Sequence, residues 1–353
     1  MNDRPCVTID AQILAAPNLD CGKDAAVDYI DTLLDWSSLI DEPWVAIHMS
    51  ERAAEVLSAD GLFPIREKLK EVFDKYAVKE YSPNDVAKVV ERLLVLTPSF
   101  ETFYRVNDIL WECVETDPDI IRLTTSPGLQ SDLARCVILL AVLRKHCAQP
   151  LGGHSIILRD ATQNIVSVRA RIEFLDHSRE DIATLPTPPE YFEGNVLACD
   201  DFRGLIQCID ESAILVGASD DMGIELAVRI AMYKDRINRG DDPDWNEIPI
   251  PRVGSRFREL CQRCCQDQAK SLPQRILRSI CEVVNHERLT DVHALRTGSG
   301  GNSPQRLRGQ DKAQRRDIDR EFHLHYWDCE DKTVEIASVV YHNDFSIPEC
   351  DDV

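Results

Sequence analysis

The chain has 353 residues, and 44% of them are apolar, which is enough to bury more than one core because single cores stop growing near about 250 residues. Its formal net charge of -21 excludes a protein that coats nucleic acid or an anionic membrane through its overall field, so any polyanion site must be local. The first residues show no secretory signal, the longest apolar run is too short to span a bilayer, and the 13 cysteines are an odd number without framework spacing. We therefore predict a cytoplasmic protein with reduced thiols, no cofactor and no membrane partner.

The first part of the chain, residues 1 to 150, has helical periodicity. Apolar residues from Ile65 to Tyr76 share one helical face, and Ser82 followed by Pro83 is typical of a second helix start. A third helix, at 131 to 147, is apolar on most sides. We predict an N-terminal helical bundle with this third helix at its centre, and we interpret the apolar stripes as packed core rather than a cofactor pocket.

Residues 151 to 240 change to a mixture of strand and helix patterns. Apolar and polar residues alternate in "HSIILRD" and "NIVSVRARIEFLD", which is typical of half-buried strands. The run "AILVGAS" predicts a buried strand that leads into a helix ending near Gly240. These patterns predict a central mixed α/β section, followed by an extended, proline-rich connector at residues 239 to 254.

The start of that last helix resembles a phosphate site only in part. Gly217 stands beside it, and helix starts attract anions. However, Ser219 is the expected N-cap, and Asp220 and Asp221 in the first turn would repel a phosphate. No phosphate site is assigned here.

The last section, residues 241 to 353, begins with a helix that contains "ELCQRCCQDQ" and continues with a second helix that begins at Leu272. Cys261, Cys264 and Cys265 share one helical face and could hold a metal ion with a fourth ligand from elsewhere. The second C-x2-C pair of a zinc site is missing, and cysteine is often buried, so we favour the alternative of a packed apolar face. No metal site is assigned.

A glycine-rich basic loop follows these helices. From residue 296 to residue 320 it holds seven basic and three acidic side chains, a local excess of positive charge in an acidic chain. The planar guanidinium of arginine matches phosphate oxygens, so the loop could bind RNA; the alternative is a solvated loop that pairs with the protein's own acids. The basic residues are Arg296, Arg306, Arg308, Lys312, Arg315, Arg316 and Arg320.

The loop leads into a predicted hairpin, "REFHLHYWD" and "TVEIASVV". If Trp327 lies opposite Thr333, one face of the hairpin is wholly apolar. The same register places His323 and His325 beside Trp327 on the other face, within reach of the basic loop. We predict a small antiparallel sheet with helices, so the whole chain belongs to the α+β class.

The motifs of this section stand in a distinct order: a helical pair, "HALRTG", "RRDIDREFHLHYW", a tight turn, "KTVEIASVV" and "YHND". This order, over about residues 270 to 349, resembles the bacterial toxin ribonucleases of the RelE and YoeB type. The resemblance implies an RNA-cleaving module in which a strand arginine and a C-terminal histidine or tyrosine cut ribosome-bound messenger RNA. The chain departs from that family at the strand arginine, because His323 stands there.

RNA cleavage by the 2′-hydroxyl needs a base, an acid and cations around the phosphorane. We predict His342, His325 and Arg316 as catalytic residues of a metal-independent reaction, with Arg315 as the alternative cation. The other basic residues of the loop are predicted to bind nucleic acid. Two alternatives remain open, namely a non-catalytic surface and a metal site made by two histidine-containing pairs. Those pairs are His323 with His325 and His342 with Asp344.

Two functions are therefore compatible with the sequence. In the first, an intracellular prokaryotic protein binds or cleaves RNA through its RelE-like C-terminal module, and the acidic N-terminal region regulates that module or docks it to protein partners. In the second, the chain is a non-catalytic interaction subunit of a multi-protein assembly, such as an antiviral defence system.

Overall fold

The computed structural model describes residues 4–124, 126–179, 185–266, 271–298 and 303–349. They divide into two compact units, an N-terminal unit of residues 4–209 and a C-terminal unit from residue 210 onward. Both units combine helices with a sheet, so the predicted α+β class is confirmed.

The N-terminal unit contains six strands and the helices that cover them. The strands are β1 Cys6–Ile9, β2 Ala46–Met49, β3 Val106–Asp117, β4 His154–Ile157, β5 Ile165–His177 and β6 Glu190–Cys199. The helices are α1 Ala11–Leu14, α2 Lys23–Ser38, α3 Ala53–Ala59, α4 Arg66–Tyr76, α5 Pro83–Leu96, α6 Phe100–Tyr104, α7 Pro127–His146 and α8 Phe202–Cys208.

The strand order of this sheet is β2-β1-β4-β6-β5-β3. The first four strands in that order are parallel, and β5 and β3 are antiparallel to their neighbours. The chain passes from β1 to β2 on one side and later returns to β4 on the other side. The order of the strands therefore reverses between β1 and β4, which is where open α/β sheets bind their ligands.

The prediction of a purely helical domain over residues 1 to 150 is wrong, because β1, β2 and β3 lie inside it. The four residues of β1 and of β2 are all buried, since helices or neighbouring strands cover them on every side. Such short strands have no alternation of polar and apolar residues. The periodicity of their apolar residues therefore cannot distinguish them from a segment of buried helix. The predicted helices α4, α5 and α7 are confirmed, and α7 is buried along most of its length against the sheet.

The C-terminal unit contains a second six-stranded sheet with helices on one face. Its helices are α9 Glu211–Gly217, α10 Asp221–Asn238, α11 Phe257–Gln266 and α12 Leu272–Val284. Its strands are β7 Arg252–Val253, β8 Val292–Ala294, β9 Leu307–Arg308, β10 Asp311–Asp317, β11 Phe322–Asp328 and β12 Val334–Tyr341. They are arranged as β7-β12-β11-β10-β8, and β9 pairs with β10. All pairs are antiparallel except β12 with β7.

Three expectations for this region need correction. The run "AILVGAS" lies in helix α9 and not in a strand, because the Asp210 carboxylate caps that helix by accepting from the Ala213 backbone N–H. The next helix is capped by Asp220 rather than Ser219, and it packs on α9 and α12. The predicted boundary near residue 240 therefore falls inside the C-terminal unit, and the chain divides at residue 209 instead.

The hairpin of β11 and β12 has a different register from the predicted one. Trp327 lies opposite Glu335 instead of Thr333, and a bulge between His325 and Tyr326 shifts the pairing again. A bulge inserts a residue that no alternation rule can locate. Six of the seven residues of β11 are buried, so both faces of the hairpin are covered.

Candidate functional sites

Four predicted residues lie together on the face of the C-terminal sheet opposite the helices. We call this the strap face and define it by Arg315, His323, His325 and Trp327. The rings of His323 and His325 are 6.2 Å apart, and both histidines feel the charge of Arg315. The prediction that the histidines and the tryptophan share one face agrees with this geometry, although the register that led to it was wrong.

The strap face is covered by residues 342–349, which we call the C-terminal strap. His325 Nδ1 lies 2.8 Å from the Ser346 carbonyl oxygen, and Trp327 Nε1 donates to the Pro348 carbonyl oxygen at 3.2 Å. Ile347 is buried in one apolar cluster with Trp327. As a result, His325 and Trp327 are both 0% exposed.

The cover leaves polar atoms of the strap face without partners. His325 Nε2 and Arg315 Nε are buried and have no hydrogen-bond partner among the residues that the structure describes. Loss of hydration lowers the pKa of His325 to about 4, so this ring is neutral at physiological pH. His323 is also buried, and its Nε2 lies 3.0 Å from Asp317 Oδ1.

The predicted catalytic residues do not form one group. His342 is exposed, and its ring lies 4.4 Å from that of His323 at the edge of the strap face. Arg316 points to the opposite face of the sheet, where it is 2% exposed, pairs with Glu282 and donates to the Arg288 carbonyl oxygen. Arg316 is therefore part of the interior, and Arg315 is the cation that accompanies the histidines. The catalytic roles stay predictions.

The other basic residues fall into two groups. Arg308 pairs with Glu335 and Asp311 and lies 4.7 Å from the centre of the Trp327 ring, so it follows the alternative of pairing with the protein's own acids. Four are outside such buried pairs: Arg296 and Arg306 make bonds to backbone carbonyls, and Lys312 and Arg320 are exposed. Their predicted contacts with nucleic acid also stay predictions. Residues 299–302 of the glycine-rich loop lie outside the described residues.

The three cysteines of α11 lie in a packed face. Cys261 and Cys264 are buried, and the Cys264 thiol donates to the Val339 carbonyl oxygen at 3.4 Å. Cys265 is half-buried beside Cys261. Across the described ranges, no three histidine, cysteine, aspartate or glutamate side chains are arranged to hold one metal ion.

A further cluster, which the sequence analysis missed, lies at the carboxyl ends of the parallel strands in the N-terminal unit. Asp10 follows β1, Ser50 and Glu51 follow β2, and Asp160 follows β4 within three residues. Asp132 joins them from the second turn of α7. We call these five residues the carboxyl-edge cluster, and Asp10 and Asp160 stand on the two strands between which the strand order reverses.

Two carboxyl groups of this cluster are buried close together. Asp10 is 4% exposed and Asp132 is 3% exposed. The Ser50 hydroxyl donates to Asp132 Oδ1 at 2.8 Å, but Asp132 Oδ2 is buried and has no hydrogen-bond partner in the described part of the chain. Burial, and then the charge of Asp132, raise the pKa of Asp10 to about 7. Burial also raises the pKa of Asp132.

The neighbouring buried cation, Arg135, makes its ion pairs with three other acids and none with Asp10 or Asp132. Arg135 is 0% exposed and pairs with Glu101, with Asp108 at 3.2 Å and with Glu51 at 3.2 Å. It also donates to the Asn107 carbonyl oxygen at 3.0 Å. Arg135 thus fixes three acids, and the Asp10–Asp132 pair keeps an excess of negative charge.

The cluster opens towards solvent at a small cavity. Asp10 and Asp160 line this cavity together with Gln12 and Arg159. Arg159 and Asp160 are exposed, so these two side chains form the solvent-facing side of the cavity. The sequence signal for this site was an aspartate directly after each apolar run, "CVTID" and "HSIILRD", but it has meaning only once both runs are known to be parallel strands.

Comparisons of the chain with protein-family models, with curated proteins and with solved structures gave no match. Within the described ranges, no helix has both the length and the apolar character needed to cross a membrane.

Proposed function

We propose that the N-terminal unit binds a divalent cation between Asp10 and Asp132 and hydrolyses a phosphoester at the carboxyl-edge cluster. The observation that carries this proposal is the Asp132 Oδ2 atom, which is buried, unpartnered and close to a second buried carboxyl group. Buried carboxylates are normally paired or coordinate metals.

The donor set fits a hard cation such as Mg²⁺ or Mn²⁺. Asp10 and Asp132 supply carboxylate oxygens, and Ser50 fixes the second carboxylate by its hydrogen bond. Mg²⁺ is usually held by only one or two carboxylates and completes its shell with water and substrate phosphates. This explains why two acids suffice although no three-residue set is arranged for a metal among the described residues.

The position of the cluster supports phosphate chemistry. A bound cation would polarise a phosphoryl oxygen and lower the pKa of a bound water. Arg159, exposed at the mouth of the cavity, supplies a positive charge that can orient the phosphate. Water adds to phosphorus, the ester P–O bond breaks, and the leaving oxygen takes up a proton.

Calorimetric titration of the metal-stripped protein with Mn²⁺ tests the cation, and release of p-nitrophenolate from bis(p-nitrophenyl) phosphate tests the reaction. Asp10→Asn and Asp132→Asn should each weaken Mn²⁺ binding by at least about tenfold and abolish hydrolysis, because each removes one of two anionic ligands. Asp85→Asn is the matched control, since that carboxylate is exposed on α5 beside Lys88. Equal Mn²⁺ binding by all four proteins would refute the proposal.

We infer a second function for the C-terminal unit, namely binding of RNA at the strap face. This keeps the RNA-binding prediction and is favoured by one observation: a guanidinium, two imidazoles and an indole share one face of a sheet. Flat rings and arginine are the groups on which unpaired bases stack. Cleavage that depends on Arg316 is not supported, because Arg316 is buried against Glu282 on the other face.

Fluorescence anisotropy with a labelled single-stranded RNA tests this binding. Arg315→Ala should weaken it, and Arg256→Ala, which removes an exposed arginine of the same unit, should not. Equal affinities of these two variants would favour the interaction-subunit alternative.

A further inference from the structure

We propose that the C-terminal strap is a removable cover that competes with single-stranded RNA for the strap face. The inference rests on the proposed RNA binding and adds its regulation. It also places the ligand on a surface that the folded chain hides from solvent.

The strap is held by few bonds. Two of its backbone carbonyl groups, at Ser346 and Pro348, meet the side chains of His325 and Trp327. Ile347 is its one buried apolar anchor, with Phe345 packed beside it. The Asp344 carboxylate bonds only within the strap, to the Ser346 backbone N–H at 2.8 Å and hydroxyl at 2.6 Å. The strap therefore holds its own turn and can leave the sheet without breaking a strand pair.

The strap leaves some polar atoms of the strap face without hydrogen-bond partners. The buried Arg315 Nε donor receives no acceptor from the described part of the strap. His325 Nε2 is the acceptor nitrogen of a neutral ring whose Nδ1–H faces the Ser346 carbonyl oxygen, and it receives no donor from the described residues. An unsatisfied buried polar atom destabilises the covered state, and it requires an explanation in a native structure. Phosphate and base oxygens of an RNA strand can accept from Arg315, and the 2′-hydroxyl groups of that strand can donate to His325.

The charge of the strap indicates the kind of partner that it replaces. From Asn343 to Glu349 the strap has two acidic residues, Asp344 and Glu349, and no basic residue. Beside the cluster that holds Ile347, the Leu295 carbonyl oxygen accepts from the Arg306 backbone N–H at 2.8 Å, which places Arg306 and Arg296 at the rim. The strap is therefore an acidic segment that lies over rings and guanidinium groups and is flanked by basic residues. This arrangement resembles a bound nucleic acid strand more than a bound helix of an acidic protein.

Because the strap covers the strap face in part of the molecules, it lowers the apparent affinity of the protein for RNA. If only a fraction of the molecules has the strap released, the apparent dissociation constant for RNA rises by the inverse of that fraction. Loosening the strap should therefore tighten RNA binding without any new contact to RNA. The same change should leave the Arg315 requirement intact.

The experiment uses the full-length chain and a fluorescein-labelled single-stranded RNA of about 12 nucleotides, a length within the usual site size. Ile347→Asp places a carboxylate at the buried anchor, and Leu307→Asp is the matched control, because Leu307 is 59% exposed in the same unit. Ile347→Ala is a milder release that leaves every strand pair in place. Anisotropy titrations are made for each protein, with circular dichroism to establish that it is folded.

Ile347→Asp should bind the RNA at least about tenfold more tightly than wild type, with Ile347→Ala between them and Leu307→Asp equal to wild type. Adding Arg315→Ala should remove the gain. If the folded release variants bind RNA with the wild-type affinity, the strap is not a cover, although RNA binding stands. If none of the folded proteins binds RNA, the proposed RNA binding fails and the inference falls with it.

Discussion

The two units each bury one arginine in an ion pair with a buried glutamate, but they leave different kinds of polar atom unpaired nearby. In the N-terminal unit, Arg135 meets three carboxylates, and the unpaired atom is the buried Asp132 Oδ2, close to the buried carboxyl group of Asp10. In the C-terminal unit, Arg316 meets Glu282 and backbone carbonyls. The unpaired atoms there are the Arg316 Nε donor and, on the strap face, the Arg315 Nε donor and the His325 Nε2 acceptor.

This difference separates structural charges from ligand-binding ones. A buried charge whose partners are complete holds elements together, since removing one partner leaves the others uncompensated. A buried group without partners carries a desolvation cost that a ligand can offset. The N-terminal unit therefore fits a cation, and the strap face of the C-terminal unit fits a ligand that offers a hydrogen-bond acceptor to Arg315 and a donor to His325.

The largest effect should follow substitution of Arg135, the buried and paired arginine of the N-terminal unit. Arg135→Met should lower the free energy of unfolding by about 3–5 kcal/mol, because the buried Glu101 carboxylate is left without its ion-pair partner. Urea denaturation followed by circular dichroism measures this. Arg92→Met is the control, because Arg92 pairs with Asp41 at the surface, where such pairs contribute about 0–1 kcal/mol. A loss no greater than in the control would break the contrast between paired and unpaired groups.

The next effect concerns acidification of the covered face. His325 has a pKa of about 4 in the folded protein, lowered by burial, and it faces His323, Arg315, Asp344 and the Ser346 carbonyl group. Because the unfolded pKa is near 6.5, the stability linked to His325 is present above pH 6.5 and is lost as the pH falls towards 4. From pH 7 to pH 4.5, wild type should lose about 2–3 kcal/mol more than His325→Asn, at about 1.4 kcal/mol per pH unit.

Urea denaturation at the two pH values measures that difference. His48 and the carboxyl groups titrate in both proteins, so their contributions cancel when the variant is subtracted. If His325→Asn loses as much stability as wild type, His325 is not buried as a neutral ring.

Much of the fold was predictable where the local pattern is long. The apolar stripe of α4, the Ser82-Pro83 start of α5 and the apolar sides of α7 gave three helices correctly. Short buried strands were not predictable, since the "CVTI" of β1 has no alternation to separate it from a helix. Missing β1 also hid the carboxyl-edge cluster, whose residues come from distant parts of the chain.

The strap face was predictable only in part. Alternation along β11 places His323, His325 and Trp327 on one face in any register, so this grouping did not depend on the pairing with β12. Arg315 and Arg316 could not be separated, because the face of each depends on how β10 pairs with β11. The strap has no periodic pattern, and its place over the face follows from tertiary contacts alone.

A smaller effect should come from Asp10, the buried acid beside Asp132. Without divalent cations, Asp10→Asn should raise the free energy of unfolding by about 1–2 kcal/mol at pH 8, since it removes a desolvated charge beside Asp132 and keeps the acceptor for the Gln12 backbone N–H. With Mg²⁺, wild type should gain stability by mass action and the variant should not. Thermal unfolding with EDTA and with MgCl₂ measures both. Destabilisation by Asp10→Asn in EDTA would contradict this prediction, because it would show that the Asp10 carboxyl group already stabilises the fold without a cation.

The smallest effect should come from Lys312, and it tests which face of the C-terminal sheet carries binding. Lys312 and Arg315 lie on the same strand, but side chains alternate, so Lys312 points to the side of Arg316 while Arg315 points to the strap. Lys312 is exposed, so Lys312→Ala should change the free energy of unfolding by less than about 0.5 kcal/mol. In the Ile347→Asp background it should leave RNA affinity within about twofold and the salt dependence unchanged, because a phosphate contact that is never made releases no counterion. Arg315→Ala in the same background should reduce the slope of log K against log salt by about 0.7, the value for one contact to a single strand. Equal losses from the two substitutions would mean that RNA follows the edge of β10 rather than its strap-facing side.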